Sequence, residues 1–172
     1  LFRPAKVKAG FLYHRSPRAS GWNYWHDLGR GNVENALGEK LESAVGVVED
    51  PARFEETMEK LIAEGSRVLF ATSPLMLQAA IRVSLAHPEV KVLNCSLLAH
   101  YTHVRSYYLR LYEAKFLIGM IAGALTENDR IGYIADYPIF GMPSSVNAFA
   151  LGARMVNPRA VVELEWSTKQ DF

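Results

Sequence analysis

Cysteine is almost missing from this chain of 172 residues, with Cys95 the only one. A lone thiol excludes an internal disulfide and any cysteine-based metal cluster, and it leaves the compartment open, because disulfide-free domains occur everywhere. Charge of one sign is missing too. Nineteen Lys and Arg face eighteen Asp and Glu, a formal net charge of +1, so no global field recruits nucleic acid or an anionic membrane; a local basic patch is still compatible with that balance. The longest apolar run, "FLIGMIAGAL" from Phe116 to Leu125, is too short to span a bilayer. No charged-then-apolar leader opens the chain, and its first residue is Leu1, as expected of a processed form or an excised segment.

Catalytic motifs are also lacking. The sequence has no G-x-S-x-G elbow, no glycine-rich phosphate loop ending in Lys-Ser or Lys-Thr, and no H-E-x-x-H pair. His26 and Asp27 are adjacent, so on a helix they point about 100° apart and cannot act as a dyad with each other. His100 and His103 have ligand-like spacing without acidic neighbours, which favours a solvated loop over a metal site. Glu163 and Glu165 alternate along a strand and read as solvent-facing rather than as a paired acid and base. Without a nucleophile, base and oxyanion constellation an enzyme is disfavoured, and no cofactor is expected.

What the chain does contain is a globular balance of 49% hydrophobic and 22% charged residues, enough for one domain or two small lobes. Apolar runs predict strands at 7–13, 44–49, 67–73, 91–96, 130–136 and 160–167, and amphipathic spacing predicts helices at 23–38, 51–65, 74–88, 112–129 and 144–158. In the first helix Trp25, Leu28, Val33 and Leu37 recur at roughly helical spacing before Gly38. The second opens with Pro51 and gathers Phe54, Met58, Leu61 and Ile62 on one face; the third opens with Pro74 after Ser73. The fourth is expected to be mostly buried. Residues 97–110 fit neither period and read as a crossover from a first sheet to a second that begins at Arg130. The alternation argues for right-handed βαβ crossovers around parallel sheets, an α/β fold.

In open parallel sheets the ligand crevice lies outside the carboxyl ends of the strands. The exits here carry "HRSPRASGWNYWHD", "TSPL", "NCSLLAHYTH", "DYPIFGMPSS" and "WSTKQDF", a vocabulary of aromatic, hydroxyl and amide groups suited to binding. Trp22 beside Asn23 suits a planar heterocycle, the ring stacking on one face while the amide satisfies an edge. Trp22 as a pocket wall and Trp22 as a cap on the core are equally open. Trp25, spaced helically with Leu28, leans towards the core.

The segments "KVKAGFLYHRSPRASGWNYWHDLGR", "RVLFATS", "RSYYLRLYEAKFLIGMIAGALTENDRIGYIADYPI" and "NAFALGARMVNPRAVVELEWS" resemble, in order and spacing, the basic membrane protein family, purine-nucleoside-binding lipoproteins of bacterial ABC importers. The resemblance covers nearly the whole chain. It implies a type I periplasmic-binding fold of parallel sheets flanked by helices, with residues 1–126 as a first lobe and 127–172 as the start of a second, closing on a ligand without catalysis. It implies that Trp22 stacks on the base and Asn23 contacts its edge. Tyr24, His26 and Asp27 share that signature, Ser73 opens a loop facing the cleft, Tyr108 and Arg110 approach the sugar, and Trp166 begins a second aromatic wall. The implied partners are a purine nucleoside or related heterocycle and the importer's permease, with no nucleic acid; the implied location is outside the cytoplasm on a lipid anchor. Family members are longer, with further βα units that bring an acidic residue and a lysine to the ribose. They also have a carboxy-terminal return segment in the first lobe and a lipoprotein signal with its cysteine. The chain is therefore expected to be a truncated form, a proteolytic fragment, or a chain that completes itself as a homodimer. A cytoplasmic ligand-sensing domain of a regulatory protein is the alternative.

Overall fold

The computed structural model describes residues 6–96, 101–135 and 141–167. The chain divides between Tyr108 and Leu109 into two compact units.

The first unit is a five-stranded parallel sheet with helices on both faces. Its elements run β1 (Val7–Tyr13), α1 (Gly21–Leu37), β2 (Leu41–Val47), α2 (Phe54–Ala63), β3 (Val68–Ala71), α3 (Leu77–Ala86), β4 (Lys91–Cys95) and β5 (Val104–Tyr107), in the spatial order β2-β1-β3-β4-β5. The order reverses between β1 and β3. Right-handed crossovers therefore put α1 on one face and α2 and α3 on the other, and the gap between β1 and β3 is the topological switch point. Strand alternation splits the core accordingly: Leu12 joins Leu61, Leu69, Val83 and Val92 under α2 and α3, while Phe11 and Tyr13 face the α1 side with Phe70.

Helix starts follow their caps. The Ser20 hydroxyl accepts from the Asn23 backbone N–H at 3.3 Å, the Asp50 carboxylate accepts from Ala52 at 3.0 Å, and the Ser73 hydroxyl accepts from Leu75 at 3.3 Å, each meeting a donor the helix leaves unpaired. Helix α1 ends at Gly38, whose φ of 53° suits a residue without a side chain.

Two expectations fail in this unit. Residues 104–107 form a strand, extending the first sheet where a crossover was expected. Only four residues pair, Val104 to Tyr107 with Val92 to Cys95, and so short a run carries no readable period. The apolar set of α1 is not core either: Trp25 is 68% exposed, and Leu28, Val33 and Leu37 are exposed with it. Of the whole helix only Asn23 is buried, because α1 rests on the sheet through a polar contact in which Arg30 donates to Glu34 and Ser43 at 2.9 and 2.7 Å.

The second unit holds α4 (Leu111–Leu125), β6 (Arg130–Ala135), α5 (Met142–Val156) and β7 (Val161–Trp166), with β6 and β7 paired in parallel. Helix α4 groups with this unit rather than with a first lobe ending at 126. The reason is a backbone-to-backbone contact: a Cβ on Gly119 would run into the Phe149 carbonyl, one on Gly123 into that of Ala153, and one on Gly152 into that of Phe116. Within α4 only Gly119 and Gly123 are buried, whereas Leu117, Ile118, Ile121 and Leu125 are exposed, contrary to the expectation of a mostly buried helix. Its mean apolarity is all-round, so the sequence does not mark which face packs. Among the described residues no helix is long and apolar enough to cross a membrane.

Candidate functional site

At the carboxyl end of the first sheet β1 delivers Tyr13 and His14, and the loop to Ser20 starts α1 directly over the switch point. At the second residue of the helix, the Trp22 indole N–H donates to the Thr72 carbonyl at 2.6 Å. That bond ties the ring across to the exit of β3 and fixes its plane. A turn further on, His26 lies 5.2 Å from Trp22 between ring centroids, tilted by 48°. From the end of β5, Tyr108 approaches Trp22 at 6.4 Å and 34°, and Tyr107 meets His26 edge-on at 6.1 Å. The row continues inward as Phe70 against Tyr107 at 6.0 Å and Phe11 stacked on Phe70 at 4.5 Å. The result is a continuous aromatic row whose outer members, Trp22, His26 and Tyr108, are only partly covered.

The electrostatics of the row favour neutral groups. His26 Nδ1 lies 2.9 Å from the Trp22 carbonyl; a carbonyl can only accept, so Nδ1 carries the proton and Nε2 of the neutral ring is an acceptor. Burial holds the His26 pKa below its usual value, partly offset by that hydrogen bond. Burial likewise pushes Tyr107 and Tyr108 upward, the Cys95 thiol adding to both, and pushes Cys95 itself up to about 11. At neutral pH the row is an uncharged face of rings, suited to a flat neutral ligand.

Beneath it sits a polar layer that holds the loops. Asn23 is fully buried, its amide contacting His14 Nδ1 at 3.4 Å and the Thr72 hydroxyl at 3.5 Å. Thr72 in turn donates to the Leu12 carbonyl at 2.6 Å, binding β3 to β1. Asn94 is also fully buried; its amide N–H groups donate to the carbonyls of Ala71 and Ser73 at 3.2 and 2.9 Å, clamping the β3 exit. Asp27 accepts from the Tyr13 hydroxyl at 3.2 Å and from Arg30 at 2.8 Å.

Of the residues singled out by sequence, Trp22, His26 and Tyr108 therefore come together. Asn23, Asp27 and Ser73 lie close by, but the Asn23 amide, Asp27 Oδ1 and Ser73 Oγ are hydrogen-bonded within the protein. Tyr24 is half exposed and packs edge-on against Trp25 at 5.4 Å, on the solvent side of α1. Arg110 and Trp166 belong to the second unit. Arg110 precedes α4 with its guanidinium 3.5 Å from Glu113, and Trp166 ends β7 partly covered. His100 and the exits at 97–100, 136–140 and 168–172 lie outside the described residues. Sequence reasoning missed Tyr107, Thr72, His14 and Asn94. Asn94 left a signal, since an amide inside the apolar run "KVLNC" must find a partner.

The aromatic row, the parallel sheet and its switch point invite comparison with known proteins, and residues 6–171 match the family described as ABC transporter substrate-binding protein, PnrA-like. The chain belongs to that family. A purine-binding protein of Brucella abortus is 30% identical over 162 residues, covering 94% of this chain and 46% of that protein. An ABC transporter glucose-binding protein of Haloferax volcanii is 30% identical over 160 residues, 93% of this chain and 41% of its own length. The chain thus spans a little under half the length of both. Among solved structures, an ABC transporter solute-binding protein of Aeropyrum pernix superposes with a TM-score of 0.75 at 19% identity, over 94% of this chain and 47% of that one. A transcriptional activator from Bacillus halodurans superposes with a TM-score of 0.74 at 17% identity, over 94% of this chain and 53% of its own. At such identities these two establish a common periplasmic-binding-protein-like α/β fold and nothing about function.

Proposed function

We propose that the chain serves the substrate-binding component of an ABC importer and that its first unit binds a purine nucleobase or nucleoside by stacking, without turnover. The observation that carries this is Trp22: its ring plane is fixed by the bond to Thr72 while His26 and Tyr108 flank it. A base would lie against the indole, and His26 Nε2 would accept one of its ring or amide N–H groups. Asn23, Asp27 and Ser73 hold the helix start and loops that carry this face. Arg110 would contact a sugar and Trp166 would add an aromatic contact with the ligand. The binding protein works outside the cytoplasm and hands its ligand to the importer's permease.

The Brucella abortus relative supports a purine; the Haloferax volcanii relative, equally identical, makes glucose the competitor. A thermal-shift and calorimetry panel of adenine, hypoxanthine, inosine, guanosine and glucose decides between them. At a hundred times its dissociation constant a ligand adds about 2.7 kcal/mol, a Tm rise of roughly 5 to 10 °C for a chain of this size. If no purine moves the melting temperature, the purine reading is wrong; a response to glucose alone replaces it with a sugar.

A further inference from the structure

The amino ends of β4 and β5 enclose a depression of about 350 Å³ lined in part by Lys91, Leu93, His103 and Arg105. It lies at the opposite end of these strands from the aromatic row. Lys91 and Leu93 are two residues apart on β4 and share a face, and Arg105 is the register partner of Leu93, so both cationic side chains rise from one side of the sheet. Arg67 stands immediately before β3, where Val68 pairs with Lys91. Among the described residues the side chains of Lys91, His103 and Arg105 have no ion pair or hydrogen bond, although most other Lys and Arg side chains of this unit are paired. No carboxylate among the described residues lines the depression. The nearest in sequence, Glu89, lies 3.6 Å from His87 Nδ1.

Lys91 and Arg105, left unpaired around one concavity, repel, and their field is strengthened by the apolar Leu93 beside them. Among the described residues the arrangement has no counter-ion, so it is relieved by an external one. The three donor types also complement one another. A guanidinium offers a planar fork to an oxyanion, an ammonium adds a compact charge, and an imidazole adds an N–H. We propose that this depression is a second site on the first unit, an anion site that takes a phosphate group. The phosphate is supplied by a soluble phosphate compound or by an anionic lipid headgroup.

The test titrates inorganic phosphate into the 172-residue chain, followed by backbone amide NMR shifts and by thermal denaturation in a phosphate-free buffer. Saturable shifts confined to residues around β4 and β5 are expected. In the double variant Lys91→Gln/Arg105→Gln, both exposed positions whose fold is checked by circular dichroism, the affinity should fall by roughly tenfold or more. A parallel arm sediments the chain with phosphatidylglycerol vesicles and with phosphatidylcholine vesicles. Retention on the former that is lost in the double variant assigns a headgroup; phosphate binding without vesicle binding assigns a soluble ligand. Absence of saturation in both arms overturns the proposal, as does equal binding by the double variant, which would mean an adventitious ion only.

Discussion

Replacing Trp22 separates its two jobs. Its indole N–H donates to the Thr72 carbonyl, and its ring packs beside His26 and Tyr108. Trp22→Phe keeps a ring but removes the donor and leaves the Thr72 carbonyl unpaired, which costs about 1–2 kcal/mol of stability. Trp22→Ala removes the ring as well. Each of the two aromatic contacts adds about 0.5–1.5 kcal/mol, so the alanine variant loses roughly 2–5 kcal/mol in all but keeps the sheet beneath, whose core lies on other residues. For the ligand, stacking of one base on one aromatic is worth about 1–3 kcal/mol by alanine substitution, which is about 5- to 150-fold in dissociation constant. Calorimetry with the best purine of the panel should therefore show Trp22→Phe binding within a few-fold of the parent, and Trp22→Ala weakened by at least several-fold, while urea denaturation ranks both below the parent in stability. An alanine variant that binds as tightly as the parent, yet is destabilised, would refute the stacking role and leave Trp22 as a cap on the core.

Two further outcomes follow from the structure. The folded His26 pKa lies below its unfolded value because burial disfavours the charged ring. The unfolded chain therefore binds more protons as pH falls through about 6.5, and stability declines over that range down to the lowered folded pKa. Melting temperatures recorded from pH 8 to 5 should fall towards acid, with a shallower slope in His26→Gln; identical slopes would remove His26 as the cause. In the second unit, Gly119→Ala should destabilise by about 2 kcal/mol, since the added methyl meets the Phe149 carbonyl and α4 and α5 must separate. The gain in helix propensity, at most about 1 kcal/mol, would not offset it, and denaturant titration with a probe in α5 reads the difference.

The alternation of strands and helices was legible in the sequence because both periods are local: "RVLFATS" and "PARFEETMEKLIAEG" announce a covered strand and an amphipathic helix without reference to anything else. The first helix was legible from residue 23 for the same reason, but its start at Ser20, which puts Trp22 and His26 one turn apart, shows only in the structure. Other features depend on partners distant in the chain. Residue 104–107 pairing is visible only beside Val92 to Cys95. Asn23, which looked like a ligand contact, is buried because Thr72 and His14 close over it. Trp25, helically spaced with Leu28, is exposed because α1 settles on β2 through Arg30, Glu34 and Ser43 rather than through apolar side chains.

The sequence by itself determined that this is an α/β chain with parallel sheets and an aromatic cluster at the first strand exit, since composition, spacing and motif are properties of neighbouring residues. Only the tertiary structure decided which aromatics share a face. The bond from Trp22 to Thr72 spans fifty residues, Tyr107 and Tyr108 arrive from a strand that no local pattern marks, and α4 joins the second unit through glycines whose purpose appears only when another backbone lies against them.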